Sequence, residues 1–71
     1  MNAAQIIERA REAITEAKHP TLAGIMTSQA HGAVGALHDL GLLTLEQWEN
    51  EIHHINALHS ERLAALEGAM R

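Results

Sequence analysis

The sequence predicts an all-α fold, a helical hairpin with an additional N-terminal helix, and three observations lead there. Apolar residues recur at spacings of three and four along most of the 71 positions, the period of an amphipathic helix. Two punctuation points, His19-Pro20-Thr21 and the stretch Asp39–Trp48, divide the chain into three such stretches. The second of these carries a full set of helix-stop and helix-start residues. The whole chain, residues 1–71, reads as one domain.

The first helix is expected over about 3–18. Asn2 suits its N-cap and Gln5, three residues on, completes a capping box. Ala3, Ile7, Ala10, Ile14 and Ala17 form one apolar stripe, widened by Ile6 and Ala13, with Glu8, Arg9, Arg11, Glu12 and Glu16 on the other side. Glu8 and Arg11 are spaced for a favourable pair within the helix. Proline disfavours helical backbone in the residue before it, which ends this helix near Lys18.

The second helix is expected over about 21–40, started by Thr21 or His19. Its apolar face is read as Leu22, Ile25, Met26, Ala30, Ala33, Leu37 and Leu40, with Val34 beside it. Gly24, Ser28, Gly32 and Ala36 step by four along the same helix. Each helical Gly costs about 1 kcal/mol relative to Ala, so such a line suggests a place where another helix backbone comes close. From Pro20 to Leu37 there is no Asp, Glu, Lys or Arg. Thr21, Thr27, Ser28, Gln29 and His31 interrupt this stretch, which is not read as a membrane span.

Four signals fix the next turn. Gly41 suits the left-handed position after a helix. Thr44 suits the following N-cap, and Gln47 completes a second capping box. Leu43 and Trp48 hold the two positions of a hydrophobic staple. Glu46 and Glu49 lie near the helix N-terminus, where the dipole favours negative charge. The third helix then runs over about 45–70, roughly 39 Å at 1.5 Å per residue. Its stripe is Leu45, Trp48, Ile52, Ile55, His59, Leu63, Leu66 and Met70, with Leu58 on the flank.

Composition bounds what this fold does. Apolar residues make up 46 % and Trp48 is the sole aromatic, so the core comes from Ile, Leu, Met, Val and Ala. Ordering each residue costs about 1.5 kcal/mol, which burial in so short a chain barely offsets. Small domains close that gap with disulfides, metals or oligomerisation. With no Cys, oligomerisation or a metal held by His and carboxylates is left. A homodimer is expected, because the third helix outreaches the first; its interface is placed on Ile52, Ile55, His59, Leu63, Leu66 and Met70. The net charge of −4, with five Lys plus Arg, speaks against direct nucleic-acid binding. Residues 1–19 alternate apolar and charged positions and are not read as a signal peptide, so the expected compartment is the cytoplasm.

Six His are the compositional oddity, yet no two stand three or four apart, the spacing that lets one helix face share an ion. Glu51 with His54 makes the Glu-x-x-His step of di-iron bundles; a homodimer would supply the second copy, and Glu12 or Glu16 the rest. His59 interrupts an apolar stripe, where a hydrogen-bonded packing role is expected. No nucleophile with a paired base is visible, so neither a catalytic residue nor a cofactor is assigned and an enzyme is not expected.

Gly41-Leu42-Leu43-Thr44, Glu46 and Trp48 resemble the hairpin of the bacterial short C-terminal domain family, though Gln47 and the lack of following basic residues depart from it. The run from Ala30 to Thr44 is similar to small all-helical proteins of temperate phages. That second resemblance implies an anti-activator, an inhibitor that docks on a host regulator such as a LuxR-type transcription regulator, in the host cytoplasm. The function expected is therefore a protein-interaction module, with a His/Glu metal module or a structural assembly subunit as alternatives. The partner-binding surface is placed on Met26, Gln29, His31, His38, Leu42 and Trp48.

Overall fold

A computed structural model describes residues 1–69. It comprises α1 (Ala3–Glu16), α2 (Pro20–Asp39) and α3 (Leu45–Ala69), and no strand among the described residues. Each helix packs against both others.

α1 starts as its capping box requires. Asn2 Oδ1 accepts from the Gln5 N–H at 2.9 Å, and Gln5 Oε1 accepts from the Asn2 N–H at 2.9 Å. It stops at Glu16, two residues before the expected end. Ala17 turns to extended backbone, φ −61° and ψ 129°, and its carbonyl accepts from Arg62 Nε at 2.7 Å. The tertiary partner thus ends the helix before the proline does. His19 is extended, φ −136° and ψ 146°, as a residue before proline should be. Pro20 occupies the first turn of α2, where its missing N–H leaves no bond unmade.

The second helix keeps part of the face its sequence suggested, with Ala30, Val34 and Leu37 buried and Met26 packed beside them, but the edge of that face is shifted. Its buried line is Ala23, Thr27, Ala30, Val34 and Leu37, while Leu22, Ile25 and Leu40 are exposed. The reason is that α2 is uncharged over most of its circumference, so hydropathy alone does not set its rotation. Ala23 and Thr27 turn inward instead of the larger Leu22 and Ile25. Thr27 is tolerated inside because its hydroxyl donates to the Ala23 carbonyl at 2.8 Å, which leaves no unpaired polar group.

One core cluster joins Ile7 and Ile14 of α1, Ala30, Val34 and Leu37 of α2, and Ile55 of α3. A second, at the α1–α2 corner, joins Ala17, Ala23 and Leu66. This second cluster corrects the expectation of an overhanging third helix. The corner reaches along α3 as far as Leu66, so one face of the far half of that helix, at Leu63 and Leu66, is covered by its own chain. Ile55 and Leu66, placed at a dimer interface from sequence, are buried inside a single chain. Ile52, His59 and Leu63 are half-buried beside them, and Met70 lies outside the described residues.

The line of small residues on α2 is likewise not used inside the chain. A Cβ added at Gly24, Gly32 or Gly35 would meet no atom within 4 Å. Ser28, Gly32 and Ala36 are exposed, so no helix of this chain crosses there.

Candidate functional site

The α2–α3 turn is held by bonds within a dozen residues of chain. Gly41 has φ 76°, the left-handed conformation that a side chain disfavours. The Leu42 N–H donates to the Leu37 carbonyl and the Gly41 N–H to the His38 carbonyl, both at 2.9 Å. These two bonds form a Schellman motif. The capping box of α3 is complete, with Gln47 N–H to Thr44 Oγ1 at 3.1 Å and Thr44 N–H to Gln47 Oε1 at 2.8 Å. Leu43 and Trp48, the two staple positions, both pack against the main core cluster.

His38 locks the turn from the α2 side. Its Nδ1 lies 3.0 Å from the Leu43 carbonyl, which fixes that nitrogen as the protonated donor. Its ring stacks on Trp48 with centroids 5.3 Å apart and planes 16° apart. The Trp48 indole N–H is buried without a hydrogen-bond partner among the described residues.

What this rigid turn leaves outside is apolar. Leu40 is 73 % exposed, and Leu42 and Leu45 are each 57 % exposed, three leucines within six residues. Exposed Asp39, Glu46 and Glu49 flank them. A second apolar exposure follows the outer side of α2, where Ile25 is 48 % exposed in line with Ser28, Gly32 and Ala36.

The side chains assigned to partner binding from sequence fall into two groups. Gln29 and Leu42 are exposed. Met26, His31, His38 and Trp48 are half-buried and already engaged. Met26 and Trp48 pack on the core, and His31 Nε2 meets Asn56 Oδ1 at 2.8 Å across α2 and α3. These histidines therefore tie helices together. Leu40 and Leu45 were read as core-facing from their spacing, and the structure places both in solvent at the turn. Their position on either side of the capping residues Gly41 and Thr44 was the available signal, because helix-end residues lie beyond the packed stripe.

The pair expected between Glu8 and Arg11 is replaced by a longer-range one. Arg11 Nη2 donates to both carboxylate oxygens of Glu51, one at 2.6 Å, and this bridge pins α1 to α3. It also occupies the carboxylate that the Glu51–His54 metal step would need. His54 is exposed, and among the described residues no group of three or more His, Asp or Glu is placed to hold a metal ion. The clefts beside the bridge, lined by Ala4, Ile7, Glu8 and Arg11 and by Ala3, Leu43, Gln47 and Asn50, are open to solvent.

No family model, curated protein or solved structure matches the chain. No helix among the described residues is long and apolar enough to cross a membrane.

Proposed function

We propose that the chain is a small non-enzymatic interaction module, an adaptor or inhibitor that docks on a regulatory protein. The observation that carries this reading is the exposure of Leu40, Leu42 and Leu45 on a turn whose backbone is fixed by two interlocking caps. Clustered exposed apolar side chains mark interaction sites, and a pre-ordered backbone lowers the entropic cost of binding. The resemblance to phage anti-activators makes a LuxR-type transcription regulator the first partner to test, in the cytoplasm of a bacterial host. Mixing the purified chain with such a regulator and its operator DNA is expected to release the DNA in a mobility-shift assay as the chain is titrated. A regulator that keeps its DNA at saturating chain, with no complex by calorimetry, would remove the anti-activator reading.

A further inference from the structure

The two exposed apolar surfaces differ in charge, and that difference selects a partner for one of them. The outer side of α2 is neutral and nothing in the structure says what covers it. The turn is different. Between Lys18 and Arg62 the sequence contains no Lys or Arg, so every formal charge that the α2–α3 corner itself carries beside Leu40, Leu42 and Leu45 is acidic. Asp39, Glu46 and Glu49 are exposed. The N-terminal half of α1 reaches that end of the bundle; there Arg11 is neutralised by Glu51 and Arg9 stands between Glu8 and Glu12 in sequence.

We propose that the hairpin tip docks on a basic, apolar face of another protein, its leucines seated in the apolar part and Asp39, Glu46 and Glu49 paired with surrounding Lys or Arg. This rests on the interaction-module reading and adds the surface and the chemistry of its partner. An acidic rim repels phosphate, which sets nucleic acid and anionic lipid against the site. A second copy fits poorly for the same reason: tip would meet tip with like charges. Nor does this chain offer itself a basic face among the described residues. Arg11 and Arg62 are engaged with Glu51 and the Ala17 carbonyl, and Arg9 and Lys18 are interleaved with Glu8, Glu12 and Glu16. Complementary charge at the rim of an apolar contact sets partner choice and association rate, and the caps present the leucines without a folding step.

Trp48 supplies the readout, since it is the sole tryptophan and lies one turn into α3 from Leu45. The full chain is titrated with a tryptophan-free helical peptide bearing Lys and Leu on one face. A peptide of the same length with Glu for Lys, and phosphatidylglycerol vesicles, are titrated in parallel. The Lys/Leu peptide is expected to give a saturable change in Trp48 emission that weakens with salt, and the other two probes none. Leu42→Glu is expected to weaken peptide binding about tenfold, the worth of a leucine-sized contact, although it adds negative charge. Leu40→Glu provides the same test at a second exposed position. Glu46→Gln with Glu49→Gln should also weaken binding, while Glu61→Gln, an exposed acid at the other end of α3, leaves it unchanged. Circular dichroism melts establish that each variant is folded. Equal binding of the Glu/Leu peptide, preferential binding of vesicles, or a Leu42→Glu variant that binds as tightly as the parent would overturn the proposal. The same variants tested on the regulator separate the two readings. A regulator bound equally by parent and tip variants leaves the module and removes the tip.

Discussion

The bundle has two corners, and they are held in opposite ways. The α1–α2 corner has little local specification: His19 makes no side-chain cap, and α1 stops where Arg62 reaches the Ala17 carbonyl from the far helix. It is closed by tertiary burial, with Ala17, Ala23 and Leu66 packed together. The α2–α3 corner is specified by its own dozen residues, through Gly41, the Schellman bonds and the Thr44–Gln47 box. A corner that must be packed to exist spends its apolar side chains on the fold. A corner that folds from local bonds leaves three leucines free to contact something else. On the docking reading proposed above, the difference puts the contact surface at the second corner and stability at the first.

The comparison breaks most decisively at the first corner. Leu66→Ala is expected to destabilise the protein by roughly 2–5 kcal/mol, the usual loss for a buried leucine whose site cannot fully collapse. Because the partners of Leu66 are in its own chain, the loss in chemical denaturation should not depend on protein concentration. A loss that vanishes on dilution would instead place Leu66 between copies.

At the second corner the sensitive position is a backbone one. Gly41→Val is expected to cost about 1–2 kcal/mol, since a β-branched residue is strained at φ 76°. A thermal midpoint equal to the parent's would mean that the turn relaxes to another geometry, and the rigid presentation of the leucines would go with it.

The outer side of α2 gives a change of opposite sign. Gly32 is helical, exposed and faces open space, so Gly32→Ala should stabilise the fold by about 1 kcal/mol through helix propensity. The line of small residues suggests from sequence a helix backbone close by, and the structure brings no other helix of the described residues within 4 Å of a Cβ at Gly32. A fall in the melting midpoint, larger at higher protein concentration, would reveal a second helix lying on that line between molecules.

Where local chemistry decides, the sequence was legible: both capping boxes, the left-handed Gly41 and the start of α3 follow from residue type and spacing. Where the decision is tertiary, it was not. The edge of the buried face of α2 was misread because a helix with no charge from Pro20 to Leu37 offers hydropathy on every side, and only the fit of Ala23 and Thr27 against neighbours chooses among them. Arg11 was paired with Glu8 by helical spacing, whereas the fold brings Glu51 from forty residues away. The same limit applies to the candidate site. Leu42 was placed in it from sequence because it lies outside both helices. Leu40 and Leu45 were lost to periodicity, which counts a helix-end leucine as part of the stripe.

The smallest effect is expected at the leucines themselves, and it sharpens the contrast most. Leu40→Ser, Leu42→Ser and Leu45→Ser should each shift stability by less than about 0.5 kcal/mol, as for surface positions that carry no cap or core contact. Their backbone groups do the structural work of the turn: the Leu42 N–H closes the Schellman bond to the Leu37 carbonyl, and serine keeps that donor. In the same melts Leu66→Ala should lose several times as much stability as any one of the three. If a single tip substitution cost as much as Leu66→Ala, its side chain would be part of the core after all, and no surplus apolar surface would be left at the turn for a partner. If the triple variant melts with the parent and loses the Lys/Leu peptide, the leucines serve binding and the caps alone serve the fold.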